Sequence, residues 1–161
     1  MSESKFIKPW RTVEIGRHQN ADRMIEVLEV AGCCISDWAR GLLPKVQFAP
    51  ELQTLTLVCA TVAQLGFPKG ATTRQIVAAG LARGWQLCLA EIGPALREQY
   101  ADQPQGEQHL IAMEPIIDSD NCSAVFRLMH DDDGYWLCGS LGHPGHRQHN
   151  RRWVFVLPEE K

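Results

Sequence analysis

The stretch AVFRLMHDDDGYWLCGSL, residues 124–141, decides the fold of this chain. Apolar side chains alternate with other residues over Ala124–Met129 and again over Tyr135–Leu141, which is the period of a half-buried strand. Asp133 and Gly134 lie between the two runs, and this dipeptide favours the tight turn of a hairpin. A connection this short joins antiparallel strands, because parallel strands need a longer crossover. The C-terminal half is therefore predicted to form an antiparallel sheet.

Four other segments extend this sheet. His109–Ile117 precedes the hairpin, and Trp153–Leu157 follows it and is apolar on both faces, as in a central or covered strand. Nearer the N-terminus, Arg11–Ile15 alternates. Glu51–Leu65 fits a helical and a strand period alike, but its β-branched residues lose rotamer freedom in a helix and favour a strand.

Four helices are predicted from residues that suit helix ends. Their starting signals are, in chain order, Asn20, Ser36, Thr72 and Pro94. Their ends are, in the same order, Gly32, Pro44, Gly84 and Tyr100. Helices and strands in this order predict a two-layer α+β fold, with an antiparallel sheet mainly in the C-terminal half and helices packed on one face.

The size and charge of the chain are those of an ordinary globular protein. Its 161 residues fit one domain, and no linker or repeat divides 1–161. A net charge of -3 gives no broad attraction to nucleic acid or anionic lipid. No apolar run approaches the length that crosses a bilayer, and Met1–Pro9 lacks the apolar core of a secretory signal. We therefore expect a soluble cytoplasmic protein without a nucleic-acid or membrane partner.

The six cysteines are expected to be free thiols. A cytoplasmic chain lies in a reducing compartment, and no C-x-x-C spacing occurs. The adjacent Cys33 and Cys34 follow a helix in an apolar context, where cysteines pack as small hydrophobic residues.

Three histidines, His143, His146 and His149, are the candidates for metal binding. Imidazole is a good zinc ligand, but a structural zinc site needs four converging ligands, and this spacing matches no zinc motif. A solvated loop is the favoured interpretation, and no metal or other cofactor is expected.

Two acidic clusters, Asp118–Asn121 and Asp131–Asp133, have the oxygen ligands that calcium or magnesium would use. The first departs from the EF-hand pattern, since it has no glycine at the sixth loop position and has Met129 at the twelfth. Turns between strands, closed by aspartate side chains, explain both clusters.

The segment from Glu91 to Tyr100, with Glu114 on the next strand, has side chains suited to catalysis. The candidate catalytic residues are Glu91, Arg97, Tyr100 and Glu114. Two carboxylates at one substrate can act as general acid and base, provided that their distances and pKa values suit the reaction. The alternative is structural: Glu91 caps or precedes a helix, and Arg97 forms an ordinary ion pair. Glu114 needs a partner if it is buried, but Pro115 beside it favours an edge or a bulge, where Glu114 reaches solvent.

Several motifs resemble those of a family of small uncharacterised bacterial proteins. They are LCLAEIGPALREQYADQPQGE at 87–107, IAMEPI at 111–116 and DSD at 118–120, and residues 11–16, 35–39 and 66–71 resemble the upstream part of the same pattern. The chain departs from the family pattern at Leu89, His109 and Asn121. The loop that holds His143, His146 and His149, here called the histidine loop, is not part of that pattern. The resemblance implies a bacterial, cytosolic protein and transfers no catalytic residue.

The sequence lacks the common nucleophile, zinc-protease and phosphate-loop motifs. We therefore expect a non-catalytic binding or interaction protein with a protein or small-molecule partner, and a homodimer is left open. The alternative is a small hydrolase with an acidic cleft around Glu91 and Glu114.

Overall fold

The computed structural model describes residues 7–149 and 151–159. Residues 1–6 lie outside these ranges. They form most of the segment Met1–Pro9, in which no secretory signal is expected. The helices are α1 (Ala21–Val30), α2 (Asp37–Leu42), α3 (Thr73–Ala82) and α4 (Ile92–Gln99), with a 3-10 turn at Leu43–Lys45. The strands are β1 (Pro9–Ile15), β2 (Cys34–Ile35), β3 (Gln53–Thr61), β4 (Ala71–Thr72), β5 (Gln108–Ile111), β6 (Ile116–Ile117), β7 (Ser123–Asp131), β8 (Gly134–Leu141), β9 (Arg147–Gln148) and β10 (Arg152–Leu157).

The main sheet joins eight of these strands in the order β1-β3-β10-β5-β7-β8-β2, with β6 paired to β7 beside β5. The α+β fold is confirmed, and the predicted hairpin is β7 and β8, paired from Ala124↔Leu141 to Asp131↔Gly134. Two pairings, β10 with β5 and β2 with β8, are parallel, so the sheet is mixed rather than wholly antiparallel. Each of these pairings joins strands that are far apart in the sequence. The short turns between neighbouring strands therefore do not determine its direction.

Strand register determines which side chains share a face. Residues opposite each other in paired strands point to the same side, and neighbours along a strand point to opposite sides. Trp153 pairs with Leu110, and Leu110 pairs with Arg127. These side chains and Phe155 therefore share one face, which we call the α3 face, and Phe126 points to the other, which we call the α4 face.

Three helices lie over the α4 face. A Cβ added to Gly93, in the first turn of α4, would be 2.7 Å from the Cβ of Phe126. A Cβ added to Gly139, which lies opposite Phe126 in β8, would be equally close to the ring of Trp38 in α2. Helix α1 packs on α4 and β2. Glycine at these two positions lets each helix approach the sheet.

The fourth helix lies on the opposite side. A Cβ added to Gly80 of α3 would be 2.3 Å from Phe155, which belongs to the α3 face. The expectation of helices on one face thus holds for α1, α2 and α4 but not for α3. The physical reason is β10, a central strand whose residues Trp153–Val156 are buried and apolar on both sides and need cover on both.

Local signals set most element ends. Asn20, Ser36 and Thr72 cap their helices, accepting hydrogen bonds from the backbone N–H three residues on, and Thr72 forms the capping box with Gln75. Helix α4 begins at Ile92, two residues before Pro94. The strand predicted at His109–Ile117 is divided into β5 and β6. None of the described helices is long and apolar enough to span a membrane.

Candidate functional site

Glu91 lies just before α4 and is 1% exposed. Its Oε2 accepts a hydrogen bond from the Gly16 N–H and its Oε1 accepts one from the Ala49 N–H, both at 2.7 Å. Both carboxylate oxygens are therefore used to join two loops to the base of α4. The structural alternative predicted that Glu91 caps or precedes a helix. Glu91 does precede α4, but its side chain forms no capping hydrogen bond with the helix.

Arg97 is buried near the end of α4, where it donates to oxygens of neutral groups. Its Nη1 donates to Gln103 Oε1 at 2.6 Å, and its Nη2 donates to the Tyr100 carbonyl at 2.6 Å. Longer bonds reach the carbonyls of Met129 and Trp136. Burial lowers the pKa of Arg97. Among the described residues, no acidic side chain forms an ion pair with Arg97, contrary to the ordinary ion pair that was expected. Carbonyl and amide oxygens accept its hydrogen bonds instead.

Gln103 connects Arg97 to a buried histidine. Because Gln103 Oε1 accepts from Arg97, its Nε2 is the donor to His109 Nδ1 at 3.1 Å. His109 Nδ1 is thus unprotonated, and the proton lies on Nε2, which is 4.0 Å from Glu107 Oε2. Burial, followed by the charges of nearby arginines, lowers the pKa of His109 to about 4. This imidazole is neutral at physiological pH.

Tyr100 packs with His109 in an aromatic cluster that Trp10 completes. The rings of Trp10 and His109 stack at 5.1 Å, and Tyr100 meets both edge-on. The Arg11 guanidinium lies 4.1 Å from the centre of the Tyr100 ring. Burial, and then the charge of Glu107, raise the pKa of Tyr100. Tyr100 and His109 are 5% and 1% exposed, so a substrate has no direct access to either.

Glu114 lies apart from these residues, in the break between β5 and β6. It is exposed, as the neighbouring Pro115 favours, and it lines a groove on the α3 face. Glu91, Arg97 and Tyr100 do not line this groove. The four candidate catalytic residues therefore share no cleft, and the two carboxylates cannot act on one substrate together.

The groove runs between α3 and the sheet and has a volume of about 340 Å³, near the lower end of the range for ligand sites. Its apolar lining includes Val77, Leu81, Met113, Val125, Pro144 and Trp153. Trp153 is fully buried, whereas Leu81 is 47% exposed at the rim. The groove is thus an accessible apolar surface whose base is a buried residue of the central strand.

The histidine loop forms one wall of the groove and completes α3. The Thr73 N–H donates to the His146 carbonyl, and the Arg74 N–H donates to the Pro144 carbonyl, both at 2.9 Å. Strand β9 of the same loop pairs with β4 just before α3. Main-chain oxygens of the loop thus satisfy N–H groups that a helix start leaves without partners.

The three imidazoles of this loop are not placed together as a metal site. No group of three or more His, Cys, Asp or Glu side chains placed to hold a metal ion occurs among the described residues, which include His143, His146 and His149. His143 Nδ1 accepts a hydrogen bond from the Gly145 N–H at 3.0 Å. This nitrogen therefore stabilises the local turn of the loop.

Both acidic clusters are turns. Asp118 Oδ1 accepts from the N–H groups of Asp120 and Cys122, and Asp131 Oδ1 accepts from the N–H of Asp133. The bond from Cys122, together with the others that it accepts, lowers the pKa of Asp118. The carboxylates thus close the turns on either side of β7.

All six cysteines are free. Cys88 and Cys138 are buried, whereas Cys122 is exposed and Cys33, Cys34 and Cys59 are half-buried. Burial raises the pKa of Cys59 to about 12. A thiol with so high a pKa carries little of the reactive thiolate at neutral pH.

Reasoning from the sequence missed the groove, and also Gln103 and His109. In the sequence, the apolar face of α3 is indistinguishable from an ordinary core-facing surface. A signal for the groove was β10, whose side chains are apolar on both faces and need packing partners on both sides of the sheet. A signal for the buried network was His109 itself, a polar side chain in an apolar strand that needs a hydrogen-bond partner.

Comparisons with family models, curated proteins and solved structures found no match to this chain. The resemblance to a family of small bacterial proteins therefore stays a prediction.

Proposed function

We propose that this protein is a non-catalytic binding protein whose binding surface is the groove between α3 and the sheet. The observation that carries the proposal is the apolar lining of the groove, open to solvent beside Leu81 and backed by the fully buried Trp153. Concave, mostly apolar surfaces with a few polar groups are typical of ligand sites.

The placement of ionisable side chains supports binding over catalysis. The buried carboxylate, guanidinium and imidazole of Glu91, Arg97 and His109 are engaged within the protein. A catalytic site needs such groups within reach of a substrate. The hydrolase alternative required Glu91 and Glu114 in one cleft, and we do not propose it further.

We also propose a cytoplasmic location. The free state of the six cysteines supports it, because thiols persist in a reducing compartment. A bacterial origin rests on the sequence resemblance alone.

Binding can be tested with N-phenyl-1-naphthylamine, an uncharged apolar dye that fluoresces in apolar surroundings. We expect saturable binding by the unmodified chain. Leu81→Asp should weaken it about tenfold or more, because a charge at the rim is desolvated by an apolar ligand. Leu52→Asp is the matched control, since Leu52 is also exposed and does not line the groove. Absence of binding, or equal binding by both variants, would overturn the proposal.

A further inference from the structure

The groove has two charged groups without a partner among the described residues. The Arg74 guanidinium and the Glu114 carboxylate are exposed on its lining and form no ion pair or hydrogen bond there. Trp153 also lines the groove, and its buried indole N–H has no acceptor among the described residues. A buried donor without an acceptor is unfavourable and calls for an explanation.

Arg74 is the best placed of these groups to bind a ligand. It is the second residue of α3, where the helix dipole adds positive potential to that of the guanidinium. The backbone N–H groups of Thr73 and Arg74 are already bonded to the histidine loop, so the side chain of Arg74 is the free donor at this end. A guanidinium can bind a carboxylate or a similar anion through two parallel hydrogen bonds.

We propose, resting on the binding function above, that the occupant is a small apolar molecule with one anionic group, a carboxylate or a sulfonate. The anionic group lies at Arg74, and the apolar part lies against Leu81, Val125 and Trp153. Because the positive end of α3 adds to the charge of Arg74, an anionic group is favoured over a cationic one at this position. Glu114 repels the anion and thereby orients the ligand towards Arg74.

The test compares two dyes that share an apolar body. 1-Anilinonaphthalene-8-sulfonate has the rings of N-phenyl-1-naphthylamine and adds one sulfonate. We expect Arg74→Gln to weaken binding of the anionic dye by up to about fivefold and to leave binding of the uncharged dye unchanged. Arg74→Lys should keep part of the affinity for the anionic dye, because lysine keeps the charge but not the two parallel hydrogen bonds. Glu114→Gln should increase the affinity for this dye. Added salt should weaken binding of the anionic dye alone.

Arg23→Gln is the matched control. Arg23 is also an exposed arginine in the first turn of a helix and does not line the groove, so this variant should bind both dyes as the unmodified chain does. An equal effect of Arg74→Gln on the two dyes would overturn the anionic assignment while the groove remains a binding site. Failure of the unmodified chain to bind the uncharged dye would overturn the binding function itself, so the two failures are distinguishable.

Discussion

Gln99 pairs with Glu14 as a neighbouring strand would. Gln99 Oε1 accepts from the Glu14 N–H at 2.8 Å, and Gln99 Nε2 donates to the Glu14 carbonyl at 2.7 Å. Glu14 lies in β1, which forms one edge of the main sheet. Unpaired backbone groups at a sheet edge invite pairing with another chain. One side chain of α4 thus closes part of the edge of β1.

Gln99→Leu removes both of these hydrogen bonds. We expect the free energy of unfolding to fall by about 1–2 kcal/mol, because two partly buried backbone groups lose their partners. Urea unfolding measures the change. Gln47→Leu is the control, since Gln47 is exposed, and a loss of stability no greater than that of the control would contradict the role given to Gln99.

Glu91→Gln and Glu114→Gln should differ in stability. In Glu91→Gln the new NH2 group faces one of two backbone N–H donors, so we expect a loss of about 2–3 kcal/mol in the free energy of unfolding. Glu114→Gln should change it by less than about 0.5 kcal/mol, as is usual for an exposed residue. Similar values for the two variants would show that Glu91 does not hold the loops at Gly16 and Ala49.

Gly80→Ala tests the close contact between α3 and β10. A Cβ at Gly80 would lie 2.3 Å from the ring of Phe155, a fully buried residue with little room to move. Gly41→Ala is the matched control, because Gly41 is also helical and a Cβ there meets nothing within 4 Å. Both variants gain helix propensity, so we expect Gly80→Ala to be less stable than Gly41→Ala by about 1–3 kcal/mol. Equal stabilities in thermal unfolding would be inconsistent with this packing.

His109 should make stability depend on pH. Its pKa is about 4 in the folded protein, against 6.5 for the unperturbed side chain. Between these values the unfolded chain binds a proton that the folded protein does not, so stability falls as the pH falls from 6.5 towards 4. The slope from this one group is at most about 1.4 kcal/mol per pH unit.

The measurement is urea unfolding of the unmodified chain and of His109→Gln across this pH range. The variant should lose part of the pH dependence even if its stability at pH 7 is lower. His149→Gln, at an exposed histidine, should keep the slope. An unchanged slope in His109→Gln would rule out His109 as the source.

The parts of the fold that could be predicted depend on neighbours in sequence. The alternating runs on either side of the turn form the hairpin of β7 and β8, but the turn lies at Asp132 and Asp133, and Gly134 is the first paired residue of β8. Asn20 and Thr72 cap their helices through atoms three residues away. A two-residue turn or a cap has few alternatives of similar energy. The sequence alone is enough for such features.

The remaining features depend on contacts between distant residues. Glu91 bonds to Gly16, 75 positions away, and no local pattern indicates that partner. The position of α3 depends on the packing of Gly80 against Phe155, which becomes apparent only when strand order is known. The sequence indicates the candidate catalytic residues by chemical type alone, and the fold places three of them in the interior and Glu114 at the groove.

The histidine loop has a consequence for how this surface tolerates substitution. Its contribution to α3 is made by the carbonyl oxygens of Pro144 and His146, which every amino acid possesses. Replacing an imidazole would leave those bonds in place, whereas a change that alters the path of the backbone at Pro144 would release the start of the helix and move a wall of the groove. In mutational libraries, the positions least open to change should therefore be those that set backbone direction.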